Sequence, residues 1–203
     1  MKKVILALAC AIMAIGAQAQ VSYGVKAGFD LTNFWGENVK HGMKPSYQAG
    51  LFLEYKFNDK FAIAPEAVFA SQGGKFKAVD GELATWLDKL GEGSLNKDIT
   101  YNVNYINIPV MLKYYVTPDF SIDFGPQLGI NVYSKYSIKD VDDAVDIKDG
   151  TESVDFGLGL GGTYNLTSNA FLQARYTMGL TKTFKDLDDC KNGNIQISLG
   201  YRF

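Results

Sequence analysis

Residues 194–203 restrict the fold more than any other part of the chain. Ile195, Ile197, Leu199, Tyr201 and Phe203 fall on one face of an extended strand, and Gln196, Ser198, Gly200 and Arg202 fall on the other. Unbroken period-two alternation marks a strand whose two faces meet different surroundings. The last residue of the sequence is an aromatic on the apolar face. Free strand ends fray, and a water-soluble protein gains nothing by leaving Phe203 there. An outer-membrane barrel gives it a place, because aromatic side chains line the membrane–water boundary. On that reading every upstream strand should alternate in the same way.

The amino terminus reads as an export signal. Lys2 and Lys3 precede an apolar run over residues 4–15, and Ala17-Gln18-Ala19 supplies a cleavage pattern, which predicts a mature start at Gln20. The run is too short to span a bilayer as a helix. Lipidation at Cys10 is the weaker alternative, because that cysteine sits too early and leaves the Ala-x-Ala pattern unused. The expected organisation is therefore a cleaved signal peptide over 1–19 and one barrel domain over 20–203. Processing leaves Cys190 as the only cysteine, a free thiol or an intermolecular contact. Losing two lysines takes the net charge from −2 to −4, with no basic excess to attract nucleic acid. The 21 Gly, 12 Tyr and 13 Phe suit an all-β chain.

Seven further strands can be read upstream. Tyr23 to Leu31 alternate about Lys26 and Asp30, and Tyr47 to Phe57 about Phe52, Glu54 and Lys56. Phe61 to Phe69 alternate about Glu66. In the fourth strand Ile106 to Val116 alternate about Lys113, but Tyr101 and Val103 follow the opposite phase. That slip near Asn104 predicts a β-bulge or a later strand start. The fifth, Phe120 to Val132, alternates about Asp123. The sixth, Val154 to Leu166, alternates about Asp155, and the seventh, Leu172 to Leu180, about Arg175. The count is eight.

Alternation alone does not say which face looks inward, since a soluble lipocalin-like barrel shows the same period. Three features decide for a membrane barrel. Glycines crowd the polar faces, where they weaken a solvated strand but make room in a narrow eight-stranded lumen. Charges occur only on those faces and are balanced in sign, whereas a midplane Lys or Arg on the lipid side costs about 2–4 kcal/mol. Connections alternate between short turns at 58–60, 117–119 and 167–169 and long ones at 33–45, 73–100, 134–152 and 181–193. The short ones read as periplasmic turns and the long ones as extracellular loops. Aromatics at the two ends of the strands read as girdles, with Tyr201 and Phe203 in the lower one.

Several stretches resemble the PorT-like outer-membrane β-barrel family: residues 64–74 (APEAVFASQGG), 105–115 (YINIPVMLKYY), 124–129 (FGPQLG) and the strand that begins at Asp155 with DFG. The resemblance covers essentially the whole mature chain. It implies an eight-stranded barrel in a Gram-negative outer membrane, and its eponymous member serves a secretion and gliding apparatus. It supplies no catalytic residues. The ending at Tyr201 and Phe203 is similar to the signal read by the outer-membrane barrel insertion machinery.

Catalysis finds little support in the residues. The single histidine, His41, lies in the first long loop, and no Ser, His and Asp spacing marks a triad. Asp140, Asp142, Asp146 and Asp149 are weak Ca²⁺ candidates, without the spacing of an EF-hand loop. Residues 80–91 carry Leu83, Trp86, Leu87 and Leu90 at helical spacing, which predicts a short amphipathic helix that caps the barrel or offers Trp86 to a partner. Lys26, Glu54, Glu66, Lys113, Asp123, Asp155, Arg175 and Arg202 form the expected lumen network, a paired plug that leaves no large pore. The reading that follows is a non-enzymatic structural or interaction barrel without cofactor, an accessory of an envelope or secretion machine. Its partners are outer-membrane lipid, the insertion machinery and envelope proteins met through the loops. The alternative is a narrow transport or small-ligand-binding barrel.

Overall fold

Alternating strands can satisfy their backbone groups in hydrocarbon only by closing on themselves. A computed structural model of the chain describes residues 21–35, 41–76, 99–138, 145–146, 150–183 and 190–203. Its walls are β1 (Val21–Trp35), β2 (Lys44–Lys56), β3 (Phe61–Phe76), β4 (Ile99–Thr117), β5 (Phe120–Ile138), β6 (Val154–Asn165), β7 (Ala170–Gly179) and β8 (Lys191–Arg202). Each strand pairs antiparallel with the next. β1 pairs with β8 from Gly24↔Arg202 to Trp35↔Lys191, which closes an up-and-down barrel. Two-residue bridges add His41–Gly42 to β3 and Val145–Asp146 to β5.

The short turns are tied by their own side chains, as Asn and Thr allow. Asn58 Oδ1 accepts from the backbone of Lys60 and Phe61, each at 2.9 Å. Thr117 Oγ1 accepts from Phe120 N at 3.1 Å, and Thr167 Oγ1 accepts from Ala170 N at 2.9 Å. These turns, with Val21 and Phe203, form the periplasmic end.

The apolar face points outward. Phe29 is 82% exposed and Ile197 57%, while Lys26 is 3% and Asp123 0% exposed. An inward-facing lipocalin-type arrangement is thereby ruled out. At the lower rim Tyr201 and Phe203 pack with ring centroids 5.8 Å apart, and Tyr23 meets Phe203 at 5.9 Å.

Two features differ from the sequence reading. The irregularity does fall at Asn104/Tyr105, but the residue passed over is Val132 on the facing strand, since Asn104 pairs with Tyr133 and Tyr105 with Asn131. β4 keeps one phase throughout. Val103 and Tyr105 point inward, and with Phe34 and Cys190 they form a small apolar cluster inside the extracellular end, flanked by Tyr101. The strands also continue into stretches that the sequence suggested were loops. β4 and β5 reach 19 residues each, about twice what a tilted strand needs to cross the apolar core. Beyond the membrane the outer face of the wall no longer meets lipid, so the alternation that reveals a strand is lost there.

Inside, glycine and aromatic positions interlock. A Cβ on Gly200 would run into the ring of Phe171, and one on Gly24 would come within 2.8 Å of Phe52 Cζ. Phe52 and Phe171 are buried and meet edge to face at 5.2 Å. Gly200→Ala should therefore destabilise the barrel by about 1–3 kcal/mol through overpacking. Adding Phe171→Ala to it should recover part of the loss, read as the urea midpoint of reversible unfolding.

Candidate functional site

The polar phase of the strands places ionisable side chains in an interior too narrow for an open channel. An ion moved out of water loses several kcal/mol, so each needs partners. Glu66 on β3 is the hub. Lys26 Nζ from β1 lies 2.6 Å from Glu66 Oε2. Arg175 from β7 donates to both oxygens, Nη2 to Oε1 at 2.7 Å and Nη1 to Oε2 at 3.0 Å. β3 and β7 are diametrically opposite in the eight-strand ring, so this two-point bond crosses the full width of the lumen. The network continues around the wall. Lys26 Nζ donates to Gln173 Oε1 at 3.0 Å, and Gln173 Nε2 donates to Asp123 Oδ2 at 3.2 Å. Asp123 also accepts from Thr163 and, at 2.7 Å, from Ser121.

A second group lies nearer the periplasmic end. Glu54 on β2 takes Lys113 Nζ at 3.0 Å and the hydroxyl of Tyr115, while Arg202 approaches only to 3.9 Å. Arg202 instead sets its guanidinium carbon 4.7 Å from the ring centroid of Phe171.

Asp155 stands apart, toward the extracellular end. It accepts from Thr181 Oγ1 at 2.7 Å and from Asn192 Nδ2 at 3.2 Å, and Asn192 also reaches the Tyr105 hydroxyl. Asp30, on the same side of the Glu66 belt, accepts from Gln48 Nε2 at 2.8 Å. Several buried polar atoms above the belt have no hydrogen-bond partner among the described residues, including Asp30 Oδ2, Asn107 Oδ1, Thr177 Oγ1 and Asn194 Oδ1.

The eight charged residues singled out in the sequence are thus all inside, in two ion groups and one isolated carboxylate. Sequence reasoning put Phe52, Ser121, Thr163 and Gln173 on the inward phase without assigning them to the network, and it missed Tyr115 and Phe171. Their signal was their phase, which matches that of the charged residues on each strand. Asp140, Asp142, Asp149 and Trp86 lie outside the described residues, as do residues 1–20. For Asp146 and His41 only the backbone pairing is described. Among the described residues no group of three or more His, Cys, Asp or Glu side chains is placed to hold a metal.

Cys190, expected as a free thiol or an intermolecular contact, is free and 1% exposed. Burial pushes its thiol up to about 12, so it is a poor nucleophile at neutral pH. Maleimide should leave Cys190 unmodified in the folded barrel and label it on unfolding. Glu66→Ala would leave two cations unpaired and should cost about 3–5 kcal/mol. Lys26→Ala, which leaves the Arg175 bond in place, should cost clearly less in the same urea titration.

The chain matches the outer membrane protein beta-barrel domain over residues 17–185. No curated protein matches it. Among solved structures, Neisserial surface protein A is similar with a TM-score of 0.56 at 12% identity, covering 90% of this chain and 99% of that one. Ail, the attachment invasion locus protein of Yersinia pestis, gives 0.51 at 15% identity, covering 91% and 99%. A major outer membrane protein from Thermus thermophilus gives 0.51 at 15% identity, covering 92% and 100%. At these identities the likeness is one of fold.

Proposed function

The chain belongs to the outer membrane protein beta-barrel family, and from that membership we propose that this integral outer-membrane protein is a structural or interaction barrel with a closed lumen. Its long loops work outside the cell, and it serves as an accessory of an envelope or secretion machine. The observation that carries the closed lumen is the Glu66–Arg175 bond between opposite walls, joined by Lys26 within the same belt. A hydrated ion would have to break a two-point, charge-assisted bond to pass. We place the chain with the PorT-like barrels on the motifs at 64–74, 105–115 and 124–129, which supports an accessory role in export. Catalysis has no assigned part in this reading.

A narrow transport role is the second reading. It is favoured by the unpartnered polar atoms above the belt, which suit a hydrated half-lumen. Planar-bilayer recording separates the two. The closed-lumen reading expects no steady single-channel conductance from the native barrel, and discrete conductance steps from the Glu66→Ala/Arg175→Ala double variant. Steady conductance from the native protein would move the assignment to transport. Deleting residues 78–95 should leave the recordings unchanged while removing envelope proteins from crosslinked complexes.

A further inference from the structure

The periplasmic mouth of the barrel is a blind recess of about 360 Å³, between the ends of β1, β2 and β8 and the turns at 118–119 and 167–168. The Phe52–Phe171 ring pair and the Glu66 belt lie above it. Its size falls in the lower range of small-ligand sites. Its lining includes Ser22, Glu54, Lys56, Asp119, Asn165 and Arg202.

The mouth carries Glu54 and the exposed Asp119 against Lys56 and Arg202, and its two cations are only loosely held. Glu54 is already occupied by Lys113 at 3.0 Å and by Tyr115. Arg202 makes only a long ion pair with Glu54 Oε2, at 3.9 Å and beyond hydrogen-bond reach. Its guanidinium rests on Phe171 at 4.7 Å, a contact that uses the flat face and leaves the N–H edge available. Lys56 Nζ lies 4.3 Å from the centroid of the Tyr115 ring, and among the described residues no carboxylate is paired with it. Two positioned cations thus converge on one recess with donors to spare. Asn165 contributes the opposite polarity. Its amide nitrogen donates to Pro118 O at 3.3 Å, and its Oδ1 is buried with no hydrogen-bond partner among the described residues.

Two cations beside a lone amide oxygen fit a ligand that carries a carboxylate next to an N–H donor. Inorganic phosphate could use the cations too, but it lacks the fixed spacing of a carboxylate and its neighbouring N–H that would reach Asn165 Oδ1 at the same time. We propose that the periplasmic mouth binds the carboxyl end of a peptide, with Arg202 and Lys56 on the terminal carboxylate and Asn165 Oδ1 accepting from the last peptide N–H. This goes beyond the outward-facing role of the loops and does not depend on whether the lumen conducts. Such ends reach the periplasmic face from two sources, the tails of periplasmic proteins and the D-alanine-ended stem peptides of the cell wall.

The test is isothermal titration of the full barrel in uncharged detergent micelles. The probes are N-acetyl-trialanine as the free acid, the same peptide as its C-terminal amide, an N-acetyl tripeptide ending in D-Ala-D-Ala, and inorganic phosphate. The expected result is saturable binding of a free acid, with the amide weaker by about tenfold or more because the charge that both cations hold is lost. Phosphate should compete poorly. Lys56→Gln should weaken the free acid by a similar factor. Lys56 is partly exposed and belongs to no ion pair among the described residues, so this variant keeps the test intact if Arg202→Gln fails to fold. Preference for the L-ended peptide identifies a protein tail as the source, and preference for the D-ended peptide identifies the cell wall; either supports the site. Equal binding of acid and amide, no binding of either acid, or full affinity in Lys56→Gln would overturn it.

Discussion

The pairing of β1 with β8 is the contact on which the rest of the structure depends. In hydrocarbon no water can satisfy a backbone N–H or C=O, and each unpaired group costs several kcal/mol. An open meander of these strands would expose two such edges. The register from Gly24↔Arg202 to Trp35↔Lys191 removes both at once. It also brings the last strand beside the first, so the Tyr23, Tyr201 and Phe203 rings gather at one point of the lower rim.

Closure at eight strands then dictates what fills the middle. The ring is too narrow for a water channel and too wide for small side chains alone. The chain meets this with two kinds of filling. Aromatic rings on one strand lie over glycines on its neighbours, as Phe171 does over Gly200 and Phe52 over Gly24. Ionic side chains reach across the remaining space to the opposite wall. Glu66 and Arg175 meet across the lumen through the combined reach of their side chains. A buried carboxylate is tolerable here because it has two cations and both of its oxygens are bonded.

The wall was legible in the sequence wherever lipid meets it, because lipid on one side and a polar lumen on the other force period two. Residues 195–203 and 106–116 show this without interruption. Legibility stopped where the contrast between faces stopped. Above the membrane residues 73–76, 99–100 and 134–138 continue the strands without lipid on one side to enforce a period, and those stretches read as loop. The bulge at Val132 was visible only as a change of phase on the strand opposite, since a sequence shows the slip but not which partner absorbs it. Which charges are inward was also legible from phase. Their pairing was not, because Glu66 and Arg175 are 109 residues apart and meet only through the barrel's register. Tyr115 and Gln173 carry no formal charge and gave no signal beyond their phase.

The belt also divides the interior into two compartments of different chemistry. On the extracellular side Asp30 and Asp155 are held by neutral donors, beside amide and hydroxyl oxygens that lack partners among the described residues. On the periplasmic side Lys56, Lys113 and Arg202 surround the buried carboxylate of Glu54. Lys44 is a buried cation above the belt, donating to Gln72 O at 3.1 Å, and Asp119 lines the periplasmic mouth with Glu54, so each compartment holds charges of both signs. Local pairing of this kind keeps the desolvation cost of a filled lumen low. The Glu66–Arg175 bond across the lumen stands between these two compartments.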